Sequence, residues 1–292
     1  MKKKLAFVLG GGGSRGAMQV GALRALLEGG YIPDIVTGTS IGAVNGAFFA
    51  VNGYTLEGVE KATRVWQAMV DENLLPMNKW WETARAFFLH TEGSAKTKIR
   101  EFATSHGLTP DLHFRDLSGV MLYLVAADMN TGHPIIFGND SAESILESML
   151  TSMALPPWMA PFEQEGQFLV DGGIVSNLPI ETALNLGATE IIALDLFDPA
   201  EGDLALKGIP DLINKLSRTL FQRQVELEMQ LAEARGVPVW HIHLIADPPV
   251  QIWDFRQSVE LIEHGYTLTR QAMAARPPMG KPTWWSRLGI KS

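Results

Sequence analysis

This 292-residue chain predicts an α/β fold, a central, mostly parallel sheet flanked by helices, on three observations. Short apolar, strand-like runs alternate with helix-like segments along its length. Two of those runs, at 5–9 and 34–38, end in glycine-framed turns that open directly into helices. Apolar residues make up 46% of the chain, which at this length is enough for one large core.

In chain order, Leu5-Ala6-Phe7-Val8-Leu9 reads as the first strand, and a glycine run separates it from a helix over 17–28 that stops at Gly29-Gly30. The β-branched run Ile35-Val36-Thr37 makes a strand over 34–38, followed by helices at 41–52 and 56–70. An aromatic-rich, irregular segment spans 71–93. Then come a helix at 95–106, strands at 120–127 and 134–137 about the turn Thr131-Gly132-His133-Pro134, and a helix at 142–154. A strand runs into Asp171, a helix at 179–186 ends at Gly187, and a strand follows at 189–195. Beyond an acidic, glycine-containing connection at 198–208, Pro210 opens a long helix to about Arg235. A strand at 237–245 and a helix at 254–275 complete the set. Pro277, Pro278 and Pro282 break helix thereafter, so the chain divides into a catalytic domain at 1–275 and a Trp/Pro-rich tail at 276–292.

Gly38-Thr39-Ser40-Ile41-Gly42 stands between a strand and a helix. A G-x-S-x-G sequence in that setting is a nucleophile elbow: the glycines let the backbone turn sharply, and the serine hydroxyl stands exposed at a sheet end beside a helix N-terminus. The run Gly10-Gly11-Gly12-Gly13-Ser14-Arg15-Gly16 leaves backbone amides open to an anion, and the helix behind it adds its positive end. The same residues read as a dinucleotide fingerprint. That reading needs an acid at the end of the second strand, whereas Asp34 precedes that strand. The third glycine-framed strand end is Asp171-Gly172-Gly173, which puts a carboxylate where ligands sit in open α/β sheets; taken alone, it is a tight turn.

The ordered set Gly11–Gly16, Gly38–Gly42 and Asp171–Gly173 resembles the patatin-like phospholipase family, and the likeness extends over residues 4 to 197. The resemblance implies a three-layer patatin-like fold and a Ser-Asp dyad hydrolase of acyl esters that uses no cofactor or metal. Ser40 would be the nucleophile and Asp171 the base, with Gly11, Gly12, Gly13, Ser14 and Arg15 forming the oxyanion loop. Gly16, Gly38, Gly42, Gly172 and Gly173 would be the motif glycines. The implied partner is a lipid or other acyl ester, met at a membrane surface only peripherally. A dinucleotide-dependent oxidoreductase and a catalytically silent lipid-binding or adaptor protein are the competing classes.

A dyad without histidine makes chemical sense if apolar neighbours such as Leu169, Val170, Ile174 and Val175 raise the pKa of the carboxylate. Of the seven histidines, none is framed by the small residues of a catalytic loop, although a histidine-containing triad stays open. His241 and His243 share a strand face as a metal-ligand pair would, but no third ligand is legible in the sequence, so both read as structural. The absence of cysteine excludes disulfide and thiolate chemistry, and a net charge of −8 argues against nucleic acid. Lys2-Lys3-Lys4 with Leu5–Leu9 is too short for a signal peptide, and no window reaches the length of a membrane span, which makes a cytoplasmic protein the expectation. Trp80, Trp81, Phe87 and Phe88 within Leu74–Leu89 read as a lid, an acyl-chain wall or core packing. Trp284 and Trp285 in the tail read as an interfacial contact or as residues docked on the domain.

Overall fold

Alternation of side chains along the central strands sets the layers. In the first strand, β1 (Leu5–Leu9), Phe7 and Leu9 point into one apolar cluster while Ala6 and Val8 point into another on the opposite face. The computed structural model describes residues 3–72, 94–156, 159–164, 166–197 and 209–275, and among these eight strands form one sheet. The other seven are β2 (Ile35–Thr39), β3 (Met121–Asp128), β4 (Pro134–Phe137), β5 (Phe162–Gln164), β6 (Gln167–Asp171), β7 (Glu190–Asp195) and β8 (Val239–His243). The helices are α1 (Ala17–Glu28), α2 (Ile41–Asn52), α3 (Leu56–Asp71), α4 (Ser94–Ser105), α5 (Ile145–Ser152), α6 (Ile180–Asn185), α7 (Ile209–Ala234) and α8 (Ser258–Ala275).

The face carrying Phe7 and Leu9 is covered by Met18 and Leu23 of α1, Phe49 of α2, Trp66 of α3 and Leu261 of α8. The other face is covered by Ile180 and Ala183 of α6 and by Val225 and Ala232 of α7. The sequence expectation of three layers therefore holds. Helices α1 and α8 approach closely because Gly21 of α1 and Gly265 of α8 each lie against the other helix's backbone, at Ile262 and Met18, leaving no room for a Cβ.

Strands β8, β7, β1, β2 and β3 are parallel in that order, and β4 and β6 run antiparallel to β3. The site follows from how β3 is shared. Its residues 124–127 pair with β4 on one edge, so β2 and β6 must both use the other. β2 occupies that edge up to Thr39, opposite Val125, and β6 arrives from the opposite direction to end with Asp171 opposite Ala126. The C-terminal ends of β2 and β6 thus meet head to head at neighbouring positions of β3.

The strand into Asp171, whose direction the sequence leaves open, is antiparallel to β3, while its carboxylate stands at the strand's C-terminal end as expected. Several sequence expectations need correction. Helix α5 starts at Ile145 rather than at 142, because Ser141 and Glu143 give their carbonyls to the amides of Arg115 and Phe114. Helix α8 starts at Ser258, after a short 3-10 turn (Phe255–Gln257) in which the Arg256 amide donates to the Asp254 carboxylate. Strand β5 was not foreseen. No helix among the described residues is long and apolar enough to cross a membrane. The aromatic stretch Leu74–Leu89, His90, the connection at 198–208 and the tail at 276–292 lie outside the described residues.

Candidate active site

Ser40 is the one non-glycine residue with positive φ among the described residues, at φ 56° and ψ −123°. Such a backbone is strained for an L-residue and persists only where its surroundings enforce it. The enforcement is visible on both sides. A Cβ on Gly42 would strike the Leu9 carbonyl, and one on Gly38 would lie 2.5 Å from the Gly42 carbonyl oxygen. The hydroxyls of Thr37 and Thr39, buried in β2, donate to the carbonyls of Pro179 (2.9 Å) and Ser176 (2.8 Å). The Ser40 amide donates to Ser152 Oγ at 3.1 Å, and Ser152 in turn donates to the Val125 carbonyl at 2.6 Å. Ser152, at the end of α5, therefore clamps the turn onto β3.

Asp171 is 3% exposed and lies beside Ser40, whose nearby hydroxyl favours the ionised carboxylate. Its Oδ1 accepts the Gly173 amide at 2.8 Å. Burial pushes the carboxyl up from its ordinary 3.8 to about 6, against the smaller, opposite pull of the Ser40 hydroxyl and the Gly173 amide. Gly172 is held against the Val125 carbonyl with no space for a side chain.

The glycine loop lies against the same serine. A Cβ on Gly11 would sit 3.2 Å from Ser40 Cβ and 2.5 Å from Asn177 Oδ1. One expectation changes here, because the Gly11 amide already donates to the Asn177 carbonyl at 3.0 Å and cannot serve an oxyanion. Gly12 and Gly13, at the start of the 3-10 turn Gly13–Gly16, have no backbone acceptor recorded among the described residues. Ser14 is also fully engaged, its amide with the Ile252 carbonyl (2.6 Å) and its hydroxyl with the Gln251 carbonyl (2.8 Å), so it anchors the loop. Arg15 Nε donates to the Gly12 carbonyl at 3.4 Å, bracing the loop from within. Gly16 packs against the Ile41 side chain, where a Cβ would not fit.

Two buried polar assemblies support these motifs, and the sequence reading found neither. Gln19 donates to the Gly10 carbonyl, Asn45 donates to Gln19 and to the Gly16 carbonyl, and Trp66 Nε1 donates to Asn45 Oδ1. Every amide hydrogen and oxygen of Gln19 and Asn45 has a partner, which fixes the loop against α1, α2 and α3. On the other face, Glu228 of α7 accepts the Ser176 hydroxyl (2.5 Å) and the Glu181 amide (2.8 Å). Burial pushes the Glu228 carboxyl up to about 7 despite those bonds. Asn177, which carries the Gly11 contact, is tied to α7 by Gln224 at 3.2 Å. The signals available in sequence were weak: Ser152 and Asn177 lie in stretches that matched the family, with nothing to mark either as a clamp.

Behind Ile41, the residue after Ser40, lies an apolar cavity lined by α2, α3, α4 and α5, including Phe48, Ala62, Ala103 and Met149, and by Phe255 of the 3-10 turn before α8. No histidine among the described residues hydrogen-bonds Ser40 or Asp171. His106 is bound to the Phe102 carbonyl, His264 to the Ile245 carbonyl, His113 lies 3.4 Å from Asp116, and His241 pairs with Asp195. The missing third partner for His241 and His243 is thus Asp195, brought in from β7.

The family model described as patatin-like phospholipase matches residues 7–184. The chain is 34% identical over 206 residues to neuropathy target esterase sws of Drosophila melanogaster, covering 70% of this chain and 14% of that protein. It is 32% identical over 205 residues to human patatin-like phospholipase domain-containing protein 6, with the same coverages. An uncharacterized NTE family protein of Mycobacterium tuberculosis is 25% identical over 299 residues, 95% of this chain and 48% of that one. The chain therefore spans a small fraction of the length of the first two relatives. Among solved structures, VipD from Legionella pneumophila aligns with TM-score 0.53 at 14% identity, over 94% of this chain and 67% of that one, a likeness of fold. With the motif turns converging at one sheet edge and the family model spanning them, this chain belongs to the patatin-like phospholipase family, a family of lipid ester hydrolases.

Proposed function

We propose that this chain hydrolyses acyl esters of lipids, with Ser40 as nucleophile and Asp171 as general base. The observation that carries the reading is the meeting of β2 and β6 on one edge of β3, which sets a strained serine against a buried carboxylate of raised pKa. In that pair the Ser40 proton passes to Asp171 as Oγ attacks the ester carbonyl. The tetrahedral oxyanion is held by the amides of Gly12 and Gly13, in a loop that Arg15 and Ser14 keep in shape. Collapse expels the alcohol, which takes the proton back from Asp171. Water then attacks the acyl-serine, giving its proton to Asp171, and collapse of the second tetrahedral species releases the fatty acid while Asp171 returns that proton to Ser40 Oγ. A pKa near 6 suits the base, which is mostly ionised at neutral pH yet basic enough to take part of a proton in the transition state.

The cavity behind Ile41 supports an apolar acyl chain as the part of the substrate recognised most strongly, at about 0.8 kcal/mol for each methylene buried. The dinucleotide alternative loses ground. Asp34 Oδ2 is bound to the Leu5 amide at 2.9 Å at the start of β2, and the ribose position at the end of β2 is taken by Ser40. A silent lipid-binding protein is separated by experiment: steady-state hydrolysis of p-nitrophenyl esters and lysophospholipid by the wild type, Ser40→Ala and Asp171→Asn. Turnover lost in both variants supports the reading. Binding without turnover in the wild type, or turnover surviving Ser40→Ala, overturns it.

A further inference from the structure

We propose that Asp195, His241 and His243 form a binding site for a divalent transition metal of the zinc class, separate from the Ser40–Asp171 pair. Parallel pairing sets Asp195 of β7 opposite His243 of β8, and the two-residue period of the strand brings His241 to the same face. His241 Nε2 lies 2.8 Å and His243 Nδ1 3.9 Å from Asp195 Oδ2, and one ligand atom from each residue falls within 4.8 Å of the others. A tetrahedral zinc with bonds of about 2.0–2.2 Å holds its ligand atoms about 3.3–3.5 Å apart, so small side-chain rotations close the site.

Asp195 is 1% exposed, and its other oxygen accepts the Phe197 amide at 2.9 Å, an outer hydrogen bond that orients a ligating carboxylate. The two imidazole rings are neighbours, with centroids 4.0 Å apart and planes tilted by 41°. The side chain of His243 is 45% exposed, which gives an ion an entry path and leaves the fourth position to water. Two imidazoles and one carboxylate favour Zn²⁺, Ni²⁺ or Co²⁺ over Mg²⁺ or Ca²⁺. The site touches the catalytic loop through one residue, because Leu196 packs where a Cβ of Gly12 would lie. An ion there would tie β8, the edge strand, to β7 and steady that leucine.

The test uses the full chain, stripped with chelator and titrated with Co²⁺ and Zn²⁺. Co²⁺ should give the visible absorption of a tetrahedral site at one ion per chain. Zn²⁺ should displace it and raise Tm, whereas Mg²⁺ should do neither. His243→Ala, a change at a half-exposed side chain, and His241→Gln should each weaken Co²⁺ binding at least tenfold, while His264→Gln leaves it unchanged. No cobalt absorption, or binding that survives both His241→Gln and His243→Ala, overturns the proposal. Ester hydrolysis is not the readout, so the metal site and the hydrolase reading fail independently.

Discussion

Replacing Asp171 with asparagine should abolish turnover and make the protein more stable at neutral pH, and the size of that gain follows from the burial of the carboxyl. The pKa rises from an ordinary 3.8 to about 6. At about 1.36 kcal/mol per pH unit, the ionised carboxylate costs the folded state about 3 kcal/mol. The sign follows from which state binds the proton more tightly. With the folded pKa above the unfolded one, the associated stability is fully present below about pH 3.8 and is lost as pH rises through about 6. Asparagine has no charge to lose. It should exceed the wild type by up to about 3 kcal/mol at pH 7 to 8, about 5 °C in Tm for a chain of this size, and converge with it near pH 4. Glu228, raised to about 7 by burial, adds its own pH dependence to both proteins and cancels in the difference. Denaturant unfolding of the two proteins from pH 4 to 8, with urea midpoints converted to free energies, measures this difference directly. The wild-type kcat/KM should rise with pH along a single limb near pH 6 in the same range, because the free enzyme's base must be ionised. A pH-independent stability difference, or an asparagine variant less stable than wild type above pH 6, would refute the argument that Asp171 is ionised against its burial.

Other outcomes follow from individual contacts. Ser152→Ala removes the acceptor of the Ser40 amide and should lower kcat more than it changes KM, with a stability loss of about 1–3 kcal/mol for the buried groups left unpaired, read from kinetics and melting together. Gly11→Ala forces a methyl against Asn177 Oδ1 and Ser40 Cβ; hydrolysis should fall by orders of magnitude while far-ultraviolet circular dichroism stays that of the wild type. Ala103→Phe, in the cavity behind Ile41, should shift the preferred p-nitrophenyl ester to a shorter acyl chain, whereas an unchanged chain-length profile would show that the acyl group lies elsewhere.

Local chemistry explains what was legible in the sequence. Strand β1, helices α1 and α2 and the Ser40 turn are marked by apolar runs and glycines whose constraints act within a few residues, and their boundaries were read almost to the residue. The antiparallel arrival of β6 depends on which edge of β3 is free, a pairing between residues more than forty positions apart, and no local pattern encodes it. Ser152, Asn177 and Glu228 matter because their side chains or backbone reach another motif, which single-chain periodicity cannot register. The same holds for Asp195: it read as the end of a strand, and only the β7–β8 register shows it to be the partner of His241. Gly11 illustrates the converse, a motif residue correctly set beside the serine whose amide the fold had already engaged.

The central claim is that Ser40 is the nucleophile, and covalent labelling tests it most directly. The purified wild-type protein, treated with a fluorophosphonate probe and digested for peptide mass mapping, should carry a single adduct on Ser40. The Ser40→Ala protein should carry none while melting at a similar temperature. An adduct on any other residue, or labelling that persists in Ser40→Ala, would contradict the account.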